Sequence, residues 1–159
     1  MSLGHRRPDQ QLSPGDFSYS WGTDTHAPKR VVDVEIAPNN FRLIDPEDGI
    51  IAHANHFNDP DVLGVSEPNN PRRHLSEFRQ KRMEALLHKH KPLSVTEIQN
   101  ILKDHENEPQ SLCRHRDETL PEPQHTITKT AIIMDLEEKR IWVTNGQPCK
   151  AEFEGFSFI

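Results

Sequence analysis

The sequence predicts an α+β protein: a mostly antiparallel sheet with two helices packed on one face. Three observations carry this: strand-period alternation between residues 31 and 57, three-and-four spacing of apolar residues between 75 and 105, and a hairpin pattern between 126 and 144. Strands and helices come in runs instead of alternating, which separates α+β from a parallel α/β sheet. The apolar content is thin. Leu, Ile, Val and Phe supply 37 of 159 residues, close to the roughly one-fifth below which chains stay disordered. Only Leu3, Leu12 and Phe17 of these fall in the first 29 positions. Residues 1–29 are therefore expected to be a flexible or partner-dependent tail, with Tyr19 and Trp21 at alternate positions suggesting a short strand, and residues 30–159 the folded domain.

Within that domain Val32, Val34 and Ile36 alternate with Asp33 and Glu35, the period of a half-buried strand that Pro38 ends. Residues 41–44 form a second strand. It is stopped by Asp45-Pro46-Glu47-Asp48-Gly49, a turn in which Pro sets φ, Asp bonds to nearby backbone and Gly accepts positive φ. Residues 50–57 read as a third strand, with Ile51, His53, Asn55 and Phe57 on one face. A polar loop over 58–71 leads into a helix whose stripe is Leu75, Phe78, Arg82, Met83, Leu86 and Leu87, closed by Pro92. The next helix opens with Ser94 and Glu97 at capping-box spacing and carries Val95, Ile98, Ile101, Leu102 and His105. After a loop over 109–124, strands 126–136 and 140–144 form a hairpin, and Phe153, Phe156 and Phe158 are expected to dock on the core. Helices on one side leave the sheet's other face either polar or waiting for another chain or segment.

Several function classes drop out. No stretch approaches the 18 apolar residues of a membrane span, and the first 15 residues lack a secretory apolar segment, so a soluble protein with no membrane partner is expected. Net charge is −6 and the pI is near 5.9, which argues against nucleic acid. The run Arg72, Arg73, Arg79, Lys81 and Arg82 has the charge to bind phosphate, but Glu77 and Glu84 partly neutralise it as a solvated helix face. Two cysteines are too few for a disulfide framework, so a cytoplasmic setting is expected. Ten histidines invite a metal, with His53 and His56, His88 and His90, or Cys113, His115 and His125 as groupings. Paired zinc spacings such as C-x-x-C are absent, and residues 53 and 56 fall on opposite faces of a strand, so no metal and no cofactor are expected. Cys113, in Leu-Cys-Arg-His, has Arg114 and His115 to lower its thiol pKa, against the commoner buried and inert cysteine.

The most informative peptide is His53-Ala54-Asn55-His56-Phe57. An asparagine amide near a strand end can offer N–H donors to a developing oxyanion; the plain alternative is an Asn that caps the strand end by bonding to its own backbone.

Taken in order, Pro46-Glu47-Asp48-Gly49, His53-Ala54-Asn55-His56-Phe57, Arg79 to Arg82, Ile101-Leu102-Lys103-Asp104-His105, Leu112-Cys113-Arg114-His115, Ile133-Met134-Asp135-Leu136, Ile141-Trp142-Val143 and Gly146-Gln147-Pro148-Cys149 form a series. Over about residues 31–154 it resembles the C-terminal half of the acyl-coenzyme A:6-aminopenicillanic acid (isopenicillin N) acyltransferase family, cysteine-type Ntn-hydrolases near the choloylglycine hydrolases. The resemblance implies the C-terminal part of an αββα sandwich and metal-free acyl transfer or hydrolysis of an acyl thioester or linear amide. It implies a nucleophilic N-terminal cysteine whose α-amino group is the base. By motif match Asn55 stabilises the oxyanion, and His53, Phe57 and Arg114 are the candidate substrate-binding residues. Glu35, Asp135 and the turn 146–149 match as structural landmarks. No cysteine precedes Cys113, so the nucleophile is expected on a missing N-terminal half, the partner of this chain together with acyl-coenzyme A or an amide substrate. This chain alone is then expected to be inactive. The alternative is a truncated remnant or binding module.

Overall fold

The alternation after Val31 becomes the centre of a three-stranded antiparallel sheet in a computed structural model that describes residues 18–20, 31–66 and 71–158. The chain divides into two units, Met1–Glu77 and Phe78–Ile159, and each holds one such sheet, in keeping with the α+β class read from the sequence. The tail assigned to residues 1–29, Trp21 included, lies outside the described residues, except that Ser18–Ser20 forms strand β1.

In the first unit β1 pairs with β2, Asp33–Ile36, and β2 pairs with β3, Phe41–Ile44, setting Val34 opposite Leu43 and Glu35 opposite Arg42. The strand β2 is half-buried as its period predicts, but the buried half is the acidic one. Glu35 is 1% exposed, whereas Ile36 lies at the surface beside Phe41 at 63% and Leu43 at 54%. The turn at 45–49 forms as the sequence predicts. Asp48 and Gly49 take φ of 50° and 76°, and Glu47 and Ile50 exchange backbone hydrogen bonds of 3.0 and 2.9 Å, the mirror-type two-residue turn that suits a right-twisted hairpin.

Residues 51–57 form no strand, which corrects the third strand read from their alternation. The side chains of His53 and His56 bond elsewhere in the unit, and the backbone bends so that the His56 N–H donates to the Ala54 carbonyl at 3.0 Å. The loop after it contains a short helix, α1, Pro60–Leu63. Asp59 caps it by accepting from the Val62 N–H, and Gly64 ends it at φ 66°.

Helix α2, Arg73–Lys89, runs across the division between the units and ends before Pro92, as predicted. In the second unit α3, Val95–Leu102, begins with the capping box its spacing implies: the Glu97 N–H donates to Ser94 Oγ at 3.2 Å, and the Ser94 N–H donates to Glu97 Oε2 at 2.8 Å. A single 3₁₀ turn, Glu122–Gln124, lies in the loop that follows. Strands β4, Ile132–Asp135, and β5, Arg140–Thr144, make the hairpin. Its first strand is shorter than predicted, because at residues 130 and 131 the Thr144 hydroxyl and carbonyl take over the pairing. Asp135 accepts from the N–H groups of Glu137 and Glu138 and so shapes the turn. The Phe-rich segment adds β6, Phe153–Ser157, to the edge of β5. Phe156 and Phe158 remain exposed instead of docking on the core, because Phe156 falls on the same sheet face as Met134 and Ile141. The opposite face packs Ile133 and Trp142, with Gly155 leaving room for the indole. Among the described residues no helix is long and apolar enough to cross a membrane.

Candidate functional site

The inverted strand β2 explains itself at the turn 53–58. Glu35 Oε1 accepts from the Asn58 backbone N–H at 2.6 Å and from Asn58 Nδ2 at 3.1 Å. The His53 ring fills the space between the two acidic residues, its Nδ1 2.7 Å from Asp33 Oδ2 and its Nε2 3.3 Å from Glu35 Oε1. Nε2 also lies 2.8 Å from the His56 carbonyl, so with a proton there it donates along the turn. On the far side His56, buried, meets the Ser76 hydroxyl on α2 at 2.9 Å through Nδ1. Arg73 Nη2 donates to the Phe57 carbonyl at 2.9 Å, and its Nε pairs with Glu77. The peptide is therefore held from the sheet by Glu35, with Asp33 beside the His53 ring, and from the helix by Ser76 and Arg73.

Its bend puts Asn55 at the centre of a three-residue turn, exposed between the half-buried His53 and the buried His56.

In the second unit the loop residues form another cluster. His105 follows α3, Cys113 and His115 lie in the loop beyond it, and Cys149 lies in the turn after β5. Their ligand atoms all fall within 4.8 Å of one another. The sequence grouping of Cys113 and His115 with His125 does not form: His125 Nε2 meets the Leu120 carbonyl at 2.7 Å instead. Cys113 is fully buried. Burial pushes its thiol up to about 11, opposite to the lowered value considered from its basic neighbours.

Arg114 hangs between the same loops, its N–H donating to Thr128 Oγ1 and its guanidinium to Thr126 Oγ1, while its carbonyl accepts from Gln147 Nε2. Burial, and then the like charge of Arg114, brings the Arg79 guanidinium down to about 10, so Arg79 keeps its charge at neutral pH. The rest of the basic run is largely spoken for. Arg73 pairs with Glu77 as the charge pattern suggests, whereas Arg82 grips Asp104 with two nitrogens and Glu106 with a third, both beyond α3, and Glu84 accepts from Gln80.

Residues 22–150 match the family described as acyl-coenzyme A:6-aminopenicillanic acid acyl-transferase. The chain belongs to this family. Comparison with individually curated proteins finds no match. In this acyltransferase-family chain, Asn55, His53 and Phe57 share one short turn in the first unit, and Arg114 lies in the second. Sequence reasoning passed over Glu35 as a landmark. Its signal was a strand in which Asp33 and Glu35 alternate with Val34 and Ile36, an alternation that also fits an acidic face turned inward. It also passed over His105 as a ligand partner of Cys113, His115 and Cys149. The signal there was the Cys113-Arg114-His115 pair, with His105 just after α3 and Cys149 in the turn after β5.

Proposed function

We propose that this chain is the C-terminal part of an Ntn-type acyltransferase or amidohydrolase, acting on an acyl thioester or linear amide through a cysteine nucleophile carried on an N-terminal half. The reading rests on the braced turn that presents Asn55. The nucleophile's sulfur attacks the carbonyl carbon, the π electrons move to the oxygen, and the α-amino group of the same cysteine takes the thiol proton. The Asn55 amide donates to the resulting oxyanion. Collapse restores the carbonyl, expels the thiol or amine carrying that proton and leaves an acyl-cysteine; an acceptor amine or water then attacks it, gives a proton to the α-amino group and breaks the acyl–sulfur bond, and that proton returns to the freed cysteine. Glu35, Asp33 and His53 act by positioning: they keep the turn from relaxing as charge develops.

Phe57 is assigned an apolar contact with the acyl group. Arg114, with Arg79 near it, is assigned the anionic part of the substrate, the phosphates in the case of acyl-coenzyme A; two neighbouring guanidiniums support that choice. The exposed apolar faces support a second half. Ile36, Phe41 and Leu43 line one side of the first sheet, and Ile132, Met134 and Phe156 one side of the second, as sheets do when another layer is meant to cover them.

The test is reconstitution. The chain is mixed with a cysteine-led N-terminal half from a member of the family, complex formation is followed by size-exclusion chromatography, and thiol release from acyl-coenzyme A and amide cleavage are measured. Turnover by the mixture and by neither half alone is the expected result. No complex and no turnover would overturn it in favour of an inactive remnant or binding module.

A further inference from the structure

The geometry points to a structural zinc site formed by His105, Cys113, His115 and Cys149, a cluster that plays no part in the proposed acyl transfer. His115 Nε2 lies 3.0 Å from His105 Nε2, 3.3 Å from Cys149 Sγ and 3.8 Å from Cys113 Sγ. Around a tetrahedral zinc with Zn–N of about 2.0–2.1 Å and Zn–S of about 2.3 Å, neighbouring ligand atoms stand about 3.3 Å apart for two nitrogens and about 3.6 Å for nitrogen and sulfur. These three distances from His115 scatter around those values, and all four ligand atoms lie within 4.8 Å of one another.

Hydrogen bonding alone does not account for the convergence. One imidazole nitrogen carries a single proton or a single lone pair, yet His115 Nε2 faces three polar atoms at once. A cation at the centre serves all four groups. The donor set of two thiolates and two imidazoles selects zinc over calcium or magnesium, which take oxygen. Four protein ligands also leave no open position, which makes the site structural and not catalytic.

The surrounding backbone holds the ligands in place. The Cys113 N–H donates to the Asp104 carbonyl at 3.0 Å, and Ser111 Oγ donates to the Cys113 carbonyl at 2.6 Å. Asp104 is itself fixed by Arg82. The His115 N–H donates to the Pro109 carbonyl. Cys149 sits in a turn set by Gly146 at φ 123° and tied to the other loop by Gln147. The metal would pin the loop after α3 to the turn after β5.

The full chain, purified under reducing conditions and dialysed, is expected to carry one zinc per chain by elemental analysis, with X-ray absorption showing two sulfur and two nitrogen neighbours. Replacement by Co²⁺ is expected to give the visible d–d and sulfur charge-transfer bands of a tetrahedral thiolate site. Cys149→Ser and His115→Ala should weaken zinc binding by more than the roughly 10–100-fold typical of losing an outer partner, while His125→Ala retains full binding. A folded wild-type chain that holds no zinc would overturn the proposal. So would a Cys113–Cys149 disulfide under these conditions, or a metal shell made of oxygen and nitrogen alone. The wild-type spectra decide the matter even if the variants fail to fold.

Discussion

Glu35→Ala tests most sharply how the Asn55 turn is held. Glu35 Oε1 accepts two hydrogen bonds from Asn58, at 2.6 and 3.1 Å, and sits 3.3 Å from His53 Nε2. Hydrogen bonds to a charged group contribute about 1.5–3 kcal/mol each, so losing both amounts to about 3–6 kcal/mol. Water can restore little of this, since Glu35 is 1% exposed and its place lies beneath the turn. Breaking a buried charged interaction from one side costs about 3–5 kcal/mol, and the two ranges overlap there. Against a total stability of about 5–15 kcal/mol, such a loss is large. Glu35→Gln keeps an acceptor oxygen facing Asn58 and removes only the charge, so it should lose less than half as much. Urea unfolding followed by far-UV circular dichroism measures both variants. An alanine variant within about 1 kcal/mol of wild type, the low end of an ordinary hydrogen bond, would refute the bracing. A glutamine variant as unstable as the alanine variant would place the effect in charge opposite His53 and not in the bonds to Asn58.

Three further outcomes follow from the same geometry. Asn55→Ala in the reconstituted enzyme should lower turnover by about 100- to 1,000-fold; turnover within a few-fold of wild type would remove Asn55 from the site. The Ser94 N–H and hydroxyl hold the Glu97 carboxyl below its ordinary value of 4.5, so its contribution is present above that value and is lost as pH falls through the lowered one. The stability difference between wild type and Glu97→Gln should therefore be full at neutral pH and shrink in acid, and a difference that grows toward acid would contradict the cap. Gly146→Ala forces a side chain onto φ 123° and should destabilise the second unit by more than about 1 kcal/mol, read as a lower urea midpoint.

What the sequence made legible were the elements whose cause is local. Ser94 and Glu97 make their own cap, Asp48 and Gly49 make their own turn, and Pro92 stops α2 wherever the rest of the chain goes. The elements it hid depend on partners distant in sequence. Residues 51–57 alternate like a strand, but His53 finds Asp33 and Glu35, and His56 finds Ser76, and these tertiary bonds bend the backbone away from a ladder. The Phe-rich end reads as something to bury, yet its register on β5 turns Phe156 to an open face. The Asn55 peptide stood out because its residue types are unusual together. The Cys and His cluster stood out only in part: Cys113 and His115 are close in sequence, but Cys149 comes from a distant turn and the C-x-x-C pairs that mark zinc sites are absent.

The low apolar content also takes on a different meaning. A thin core would be expected to gather its few large apolar residues inward. In the first unit Ile36, Phe41 and Leu43 instead face out, while Glu35, His56 and Ser76 are buried. A carboxylate taken out of water costs several kcal/mol unless it is hydrogen-bonded, and an apolar residue at position 35 would avoid that cost. It would also leave the Asn58 N–H without an acceptor and free the turn that carries Asn55. In the proposed function the polar interior serves the placement of one side chain, and the apolar surface receives a covering layer. If both links hold, Glu35→Leu should fail in a particular way: turnover of the reconstituted enzyme should fall further than association of the two halves, because the leucine loosens the turn while leaving the outward-facing sheet surface intact.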